Sequence, residues 1–186
     1  MILDGEHSPQ LVADLAAASE ALAARLEHDL ELWDRAPRGK WSAGQHVQHV
    51  AAVLALIADG LERAEQELRA GTLAPPPRRG WLQRRFVRLI TQRRTFPRGG
   101  KAVRIVKPKP APERAATLAQ LRAQTGRYRT VVERLSNEQR DRLWVWNPFL
   151  KLFGWYYMLP ELLRVQTLHT RHHLRLVEEV AAARSR

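Results

Sequence analysis

Apolar residues that recur every three to four positions constrain this chain more than any other feature, because such a stripe is buried only when the segment is a helix packed against others. Leu11, Leu15, Leu22, Leu26, Leu30 and Trp33 form the first stripe. It predicts a helix from Ser8-Pro9, with serine as N-cap and proline at the first helical position where its missing N–H costs nothing, to about Asp34. Ser42 and Gln45 form an S-x-x-Q capping box that opens a second helix, with Val50, Val53, Ile57 and Leu61 facing inward and an end near Gly71. A third starts near Pro112-Glu113 and carries Leu118, Leu121, Tyr128, Val131 or Val132, and Leu135, and Ser136 restarts a short turn or helix by the same capping logic. The last opens at Leu159-Pro160-Glu161 and runs towards Ala183, with Leu162, Gln166, His169, His173, Leu176 and Val180 on one stripe. Four long helices and little strand signal predict an all-α four-helix bundle, and 186 residues supply one sizeable core, so residues 1–186 read as a single domain.

The connection between the second and third helices is long and basic. TLAPPPRRG cannot continue a helix, because its prolines remove donors and fix φ. Trp81 to Arg93 has the pattern of a short amphipathic surface helix, through Trp81, Leu82, Phe86, Leu89 and Ile90, and a loop follows with an extended piece predicted at Ala102 to Val106. Of the 31 Lys and Arg, twelve fall between Arg78 and Lys109, a stretch without Asp or Glu; the rest of the chain is balanced, so the net charge of +12 is local to residues 78–109. This stretch reads as a largely exposed, solvated connection, with non-specific contact to nucleic acid or another anionic surface as the alternative. The aromatic run WVWNPFLKLFGWYYM, broken by Asn-Pro and Gly, reads as an irregular crossing segment.

Other function classes are narrowed by absences. Without cysteine there are no disulfides or thiolate ligands, and any thiol in the chemistry must come with a cosubstrate. The opening MILDGEHSPQ lacks the basic and apolar regions of a signal peptide, and no apolar run approaches a membrane span, so a cytoplasmic location is expected. No G-x-G-x-x-G, Walker, H-E-x-x-H or G-x-S-x-G pattern occurs.

The chemistry-bearing residues are histidines. His169 and His173 stand at i and i+4, so their side chains share one helix face and can share one metal ion, and a third imidazole from another helix would complete a three-His site with open positions. His49 lies on the second helix, one turn before Val53 on the same side. The ring nitrogens of the three are expected to converge to roughly 3–4 Å of one another. His172, about 100° around the helix from His173, points away. His46, one turn before His49, reads as a partly exposed polar residue, with a place at the rim of the site or behind one of its ligands as the alternative, and His7 and His28 carry no assignment. Trp144, Trp146, Trp155, Tyr156 and Tyr157 either pack in the core or wall a pocket over the metal.

The segment WSAGQHVQHV, with Trp41 and Ser42 opening a helix and His49 eight residues after the tryptophan, resembles the helix-opening motif of the DinB-like (YfiT-like) superfamily. The helix holding His169 and His173, followed by Leu174, resembles that family's second signature, in the same order along the chain. The resemblance implies a four-helix bundle binding one divalent metal, often zinc or nickel, with His49, His169 and His173 as ligands. Leu176 departs from the pattern, since members often carry Gln three residues after the last histidine. It further implies a metal-dependent hydrolase or thiol S-transferase acting on a small molecule, the thiol class using a low-molecular-weight thiol, with a homodimer compatible. The competing reading is a non-catalytic binding module that uses the basic segment 78–109 and keeps the histidines as structure.

Overall fold

In a computed structural model, residues 4–92, 96, 102–150 and 154–183 are described. Among them, four long helices surround one hydrophobic core: α1 (Ser8–Glu27), α3 (Ala43–Arg69), α5 (Arg114–Arg134) and α7 (Leu159–Ala182). The shorter α2 (Leu30–Asp34), α4 (Trp81–Gln92) and α6 (Asn137–Arg142) lie in the connections. α1 packs chiefly against α7 and α5, and α3 packs against the same two, so α1 and α3 are diagonal and α3 is the neighbour of α7. The side chain of Tyr128 is fully buried between α5 and α3, and its hydroxyl donates to the Leu54 carbonyl at 3.1 Å.

Local chemistry accounts for the helix limits. The capping box predicted at Ser42 is present in full: the Gln45 amide donates to Ser42 Oγ, and the Ser42 amide donates to Gln45 Oε1. Ser136 and Gln139 repeat it at α6. Gly71, at φ +72°, ends the polypeptide's helical course after α3. Two expectations are corrected. The first helix stops at Glu27, because the Asp29 carboxylate accepts from the Leu32 amide at 2.9 Å and starts α2; the reset leaves Leu30 63% exposed while Leu32 and Trp33 turn inward. Ser8 lies inside the helical course and is buried, since the chain already turns at Gly5–His7 and the Ser8 amide donates to the Gly5 carbonyl. The third long helix opens where the sequence places it, with Glu113 as the N-cap of α5, accepting from the Ala115 and Ala116 amides.

The aromatic run also differs from expectation. Trp144–Trp146 (β1) pairs antiparallel with Tyr156–Met158 (β2), Val145 opposite Tyr157, to make a short hairpin. Asn147 turns the chain out of β1, its Oδ1 accepting from the Phe149 amide and its amide nitrogen donating to the Tyr157 hydroxyl. Three residues per strand are too few for an alternating pattern to show in sequence. This hairpin packs on α3 and α7 and holds the chain that leads into α4: Trp144 Nε1 donates to the Ala74 carbonyl, Tyr156 Oη to that of Pro77, and Gln83 Nε2 to the carbonyl of Tyr156. Arg79 lies over the Tyr156 ring and forms a two-pronged ion pair with Glu161 at the start of α7.

Residues 78–109 are mostly exposed where described, as expected, but Gln83, Val87 and Val106 are buried. Arg93, Arg94, Arg98 and Lys101 lie outside the described residues. The extended piece predicted at Ala102 to Val106 is instead a 3-10 turn at Arg104–Val106. It is strapped to the first turns of α3: Gln45 Nε2 donates to the Lys109 carbonyl at 2.9 Å, and the Lys109 amide donates to Gln48 Oε1 at 2.6 Å. Just beyond, Trp33 Nε1 donates to the Pro112 carbonyl at 3.0 Å.

Gly44 is where α2 meets α3. A Cβ there would fall 2.4 Å from Cε2 of the Trp33 indole, whose position is fixed by burial and by its bond to Pro112. Gly44→Ala is therefore expected to destabilise the protein by about 2 kcal/mol in chemical denaturation, overpacking outweighing the better helix propensity of alanine. A neutral or stabilising result would mean that Trp33 moves freely.

Candidate metal centre

Because Ser42 fixes where α3 begins, it also fixes where the side chains of the next two turns point. His46 and His49 are three residues apart and share the face turned to α7; His169 and His173 share the answering face of α7. One nitrogen from each of His49, His169 and His173 lies within 4.8 Å of the others. His169 Nε2 and His173 Nε2 are 3.2 Å apart. Two nitrogen–metal bonds of about 2.0–2.1 Å at a tetrahedral angle span roughly 3.3–3.4 Å, so this spacing suits a shared ion.

The outward nitrogens determine how the rings are aimed. His49 Nδ1 donates to the Val106 carbonyl at 2.8 Å, which leaves Nε2 as its lone-pair nitrogen. His173 Nδ1 lies 2.9 Å from His46 Nδ1, a contact that requires one of the two to carry the proton; with His173 as donor its Nε2 keeps the lone pair. His169 Nδ1 is buried without a hydrogen-bond partner among the described residues. The donor set therefore fits a divalent ion: three convergent nitrogens, two of them oriented through the opposite side of the ring.

Burial pushes all four imidazoles toward the neutral form. His46 is lowered to about 4 and His169 to about 3, in each case first by desolvation and then by the neighbouring histidines; His49 and His173 are also lowered, His173 strongly. Among the described residues no carboxylate is hydrogen-bonded to any of them. Neutral imidazole is the form that binds a metal.

His49, His169 and His173 do come together, His169 and His173 at the expected spacing and the group of three within 4.8 Å, a looser limit than the expected 3–4 Å. His46 is only 8% exposed and its Nδ1 lies 2.9 Å from that of His173, so the exposed reading is corrected and the place behind a ligand is the one the structure contains. Its spacing from His49 was the available signal, since i and i+3 share a face. His172 is outside the group of three, as its angle predicted. The tryptophans and tyrosines of the hairpin pack among themselves and against the chain near α4. The aromatic wall of the cluster is instead Trp41, with ring centroids 5.4 Å from His46 and 5.0 Å from His49, together with Phe96 at 5.2 Å from His169. The Val106 carbonyl carries no sequence signal at all, being a backbone group reached through the fold.

Comparison with known proteins follows the same lines. The family model for the DinB superfamily matches residues 10–177. YfiT from Bacillus subtilis, described as a probable metal-dependent hydrolase with an unusual four-helix bundle topology, superposes with a TM-score of 0.60 over 100% of this chain and 91% of that one, at 15% identity, a likeness of fold. No curated protein matches the sequence.

A pH dependence follows from the buried imidazoles. Their folded values lie below the ordinary 6.5, so the unfolded chain takes up protons first; the stability is full above about pH 6.5 and is lost as pH falls toward the folded values, about 4 for His46 and about 3 for His169. In chelator-treated protein the melting temperature should thus decline between pH 6.5 and 5, above the range in which carboxylates titrate. The variant His46→Leu should flatten the decline. A flat profile for the parent protein would mean that the cluster is hydrated or already charged.

Proposed function

Because the chain belongs to the DinB superfamily, we propose that it is a metal-dependent enzyme in which His49, His169 and His173 hold one divalent ion, zinc or nickel, at the contact between α3 and α7. The observation that carries this reading is the convergence of three neutral imidazole nitrogens with no carboxylate among them. When bound, such an ion supplies a Lewis acid with open positions, able to polarise a substrate oxygen or to activate water or a thiol near neutral pH.

The chain's own groups do the rest. The Val106 carbonyl holds His49 in the tautomer that presents Nε2, and His46 does the same for His173 from the opposite side of its ring. Trp41 and Phe96 exclude water from the flanks of the imidazoles and give a substrate an apolar surface to meet. With cysteine absent, a thiol enters only as a cosubstrate. The reaction class is hydrolysis of a small molecule, or transfer of a low-molecular-weight thiol to an electrophilic carbon, carried out in the cytoplasm.

Protein purified without an affinity tag should contain about one divalent ion per chain by elemental analysis. His169→Ala should remove it while leaving the helical circular dichroism intact, since a bundle of this size draws its stability from its core. His46→Ala should weaken metal affinity by roughly 10- to 100-fold without abolishing it. Global unfolding of His169→Ala would make the metal structural, and metal-free protein that does not take up zinc, nickel or cobalt would overturn the reading.

A further inference from the structure

The face of α4 turned away from the protein belongs to none of this chemistry. At 100° per residue, Gln83 and Val87 turn inward with Phe86 beside them, and they fix the helix: Gln83 Nε2 bonds the Tyr156 carbonyl, Val87 is buried, and Phe86 packs on Trp155 at 5.0 Å. Trp81, Arg85, Arg88 and Gln92 follow one another along the opposite face, with Leu82 and Leu89 on its flank. Trp81 is 65% exposed, Leu82 56% and Leu89 39%. Residues Trp81, Arg84, Arg85, Arg88, Leu89 and Gln92 line a shallow surface depression of about 380 Å³. No Asp or Glu occurs anywhere between Arg78 and Lys109.

We propose that this face of α4 docks on an anionic lipid bilayer, the indole of Trp81 and the side chains of Leu82 and Leu89 entering the headgroup region while the arginines meet lipid phosphates. Exposed tryptophan and leucine on a basic helix are the two halves of interfacial binding: apolar area to bury and charge to attract. A nucleic-acid strand would engage the arginines and stack on the one indole, but would leave two leucines on the same helix facing water. No described helix is long and apolar enough to cross a membrane, so the attachment lies on the surface.

Sedimentation of the full chain with phosphatidylcholine vesicles, and with vesicles that also contain phosphatidylglycerol, tests this. Binding is expected only to the anionic vesicles and to weaken as salt rises. The charge-preserving variant Trp81→Ser/Leu82→Ser should bind them roughly tenfold less or weaker still, at unchanged circular dichroism and metal content, because the apolar contribution is lost while every arginine remains. Leu89→Ser should give a smaller drop in the same direction. Equal binding by the parent and the double variant would overturn the proposal, reducing the attraction to bulk charge. Competition by single-stranded RNA that displaces the vesicles and responds to Trp81→Ser but not to Leu89→Ser would also overturn it, assigning the face to nucleic acid.

Discussion

Four imidazoles share the space between α3 and α7, and what holds them together is a balance between desolvation and the few hydrogen bonds available. Each ring would take up a proton in water at mildly acid pH, and inside the bundle none can do so cheaply. The cluster is therefore stable only while it stays neutral, and neutral rings present lone pairs that need a positive centre or a proton donor. Neighbours engage the outer nitrogens of His49 and His173 and leave lone pairs turned toward one another. Val106 gives its carbonyl to His49, His46 faces His173, and the nitrogens left over converge. The bundle brings α3 beside α7; the limits of those helices, set by Ser42 on one and by the turn into Leu159 on the other, decide which residues meet.

The parts of this arrangement legible in the sequence are those written in local periodicity. The stripes on the long helices, the capping boxes at Ser42 and Ser136, and the His169–His173 pair all depend on neighbours within four residues, and apart from the first stripe beyond Glu27 they have the expected form. Illegible parts depend on contacts distant in sequence. Whether His46 is buried depends on the approach of α7, some 127 residues away along the chain, and the partner of His49 is a carbonyl 57 residues on. The helix break at Asp29 belongs to a third kind. An aspartate can cap a helix or sit in the middle of one, and the continuous apolar stripe from Leu26 to Trp33 hid the choice that the backbone makes.

The region between α3 and α5, which composition marks as solvated, does structural work at two places. Towards its start, Arg79 is sandwiched between Tyr156 and Glu161, so that the hairpin and the first turn of α7 are tied to the entrance of α4. Towards its end, Gln45 and Gln48 grip the backbone at Lys109 and bring Val106 into the core. A high content of arginine and lysine is compatible with both: Arg79 uses its charge to hold on, and at Lys109 the stretch offers backbone atoms to side chains supplied by α3. Of these two places, only at Arg79 does the anchor itself use the charge of the stretch.

The bond from His49 to Val106 has an implication for how this site tolerates change. A main-chain oxygen is present whichever residue occupies the position, so point substitutions in the strap can alter its charge and bulk without erasing the acceptor. An insertion or deletion between Val106 and Lys109 is another matter, for it would shift the register between the grip of Gln48 and the oxygen that His49 requires. The centre is thus buffered against spelling and sensitive to spacing. That asymmetry lets such a loop diversify its chemistry freely while its length stays pinned.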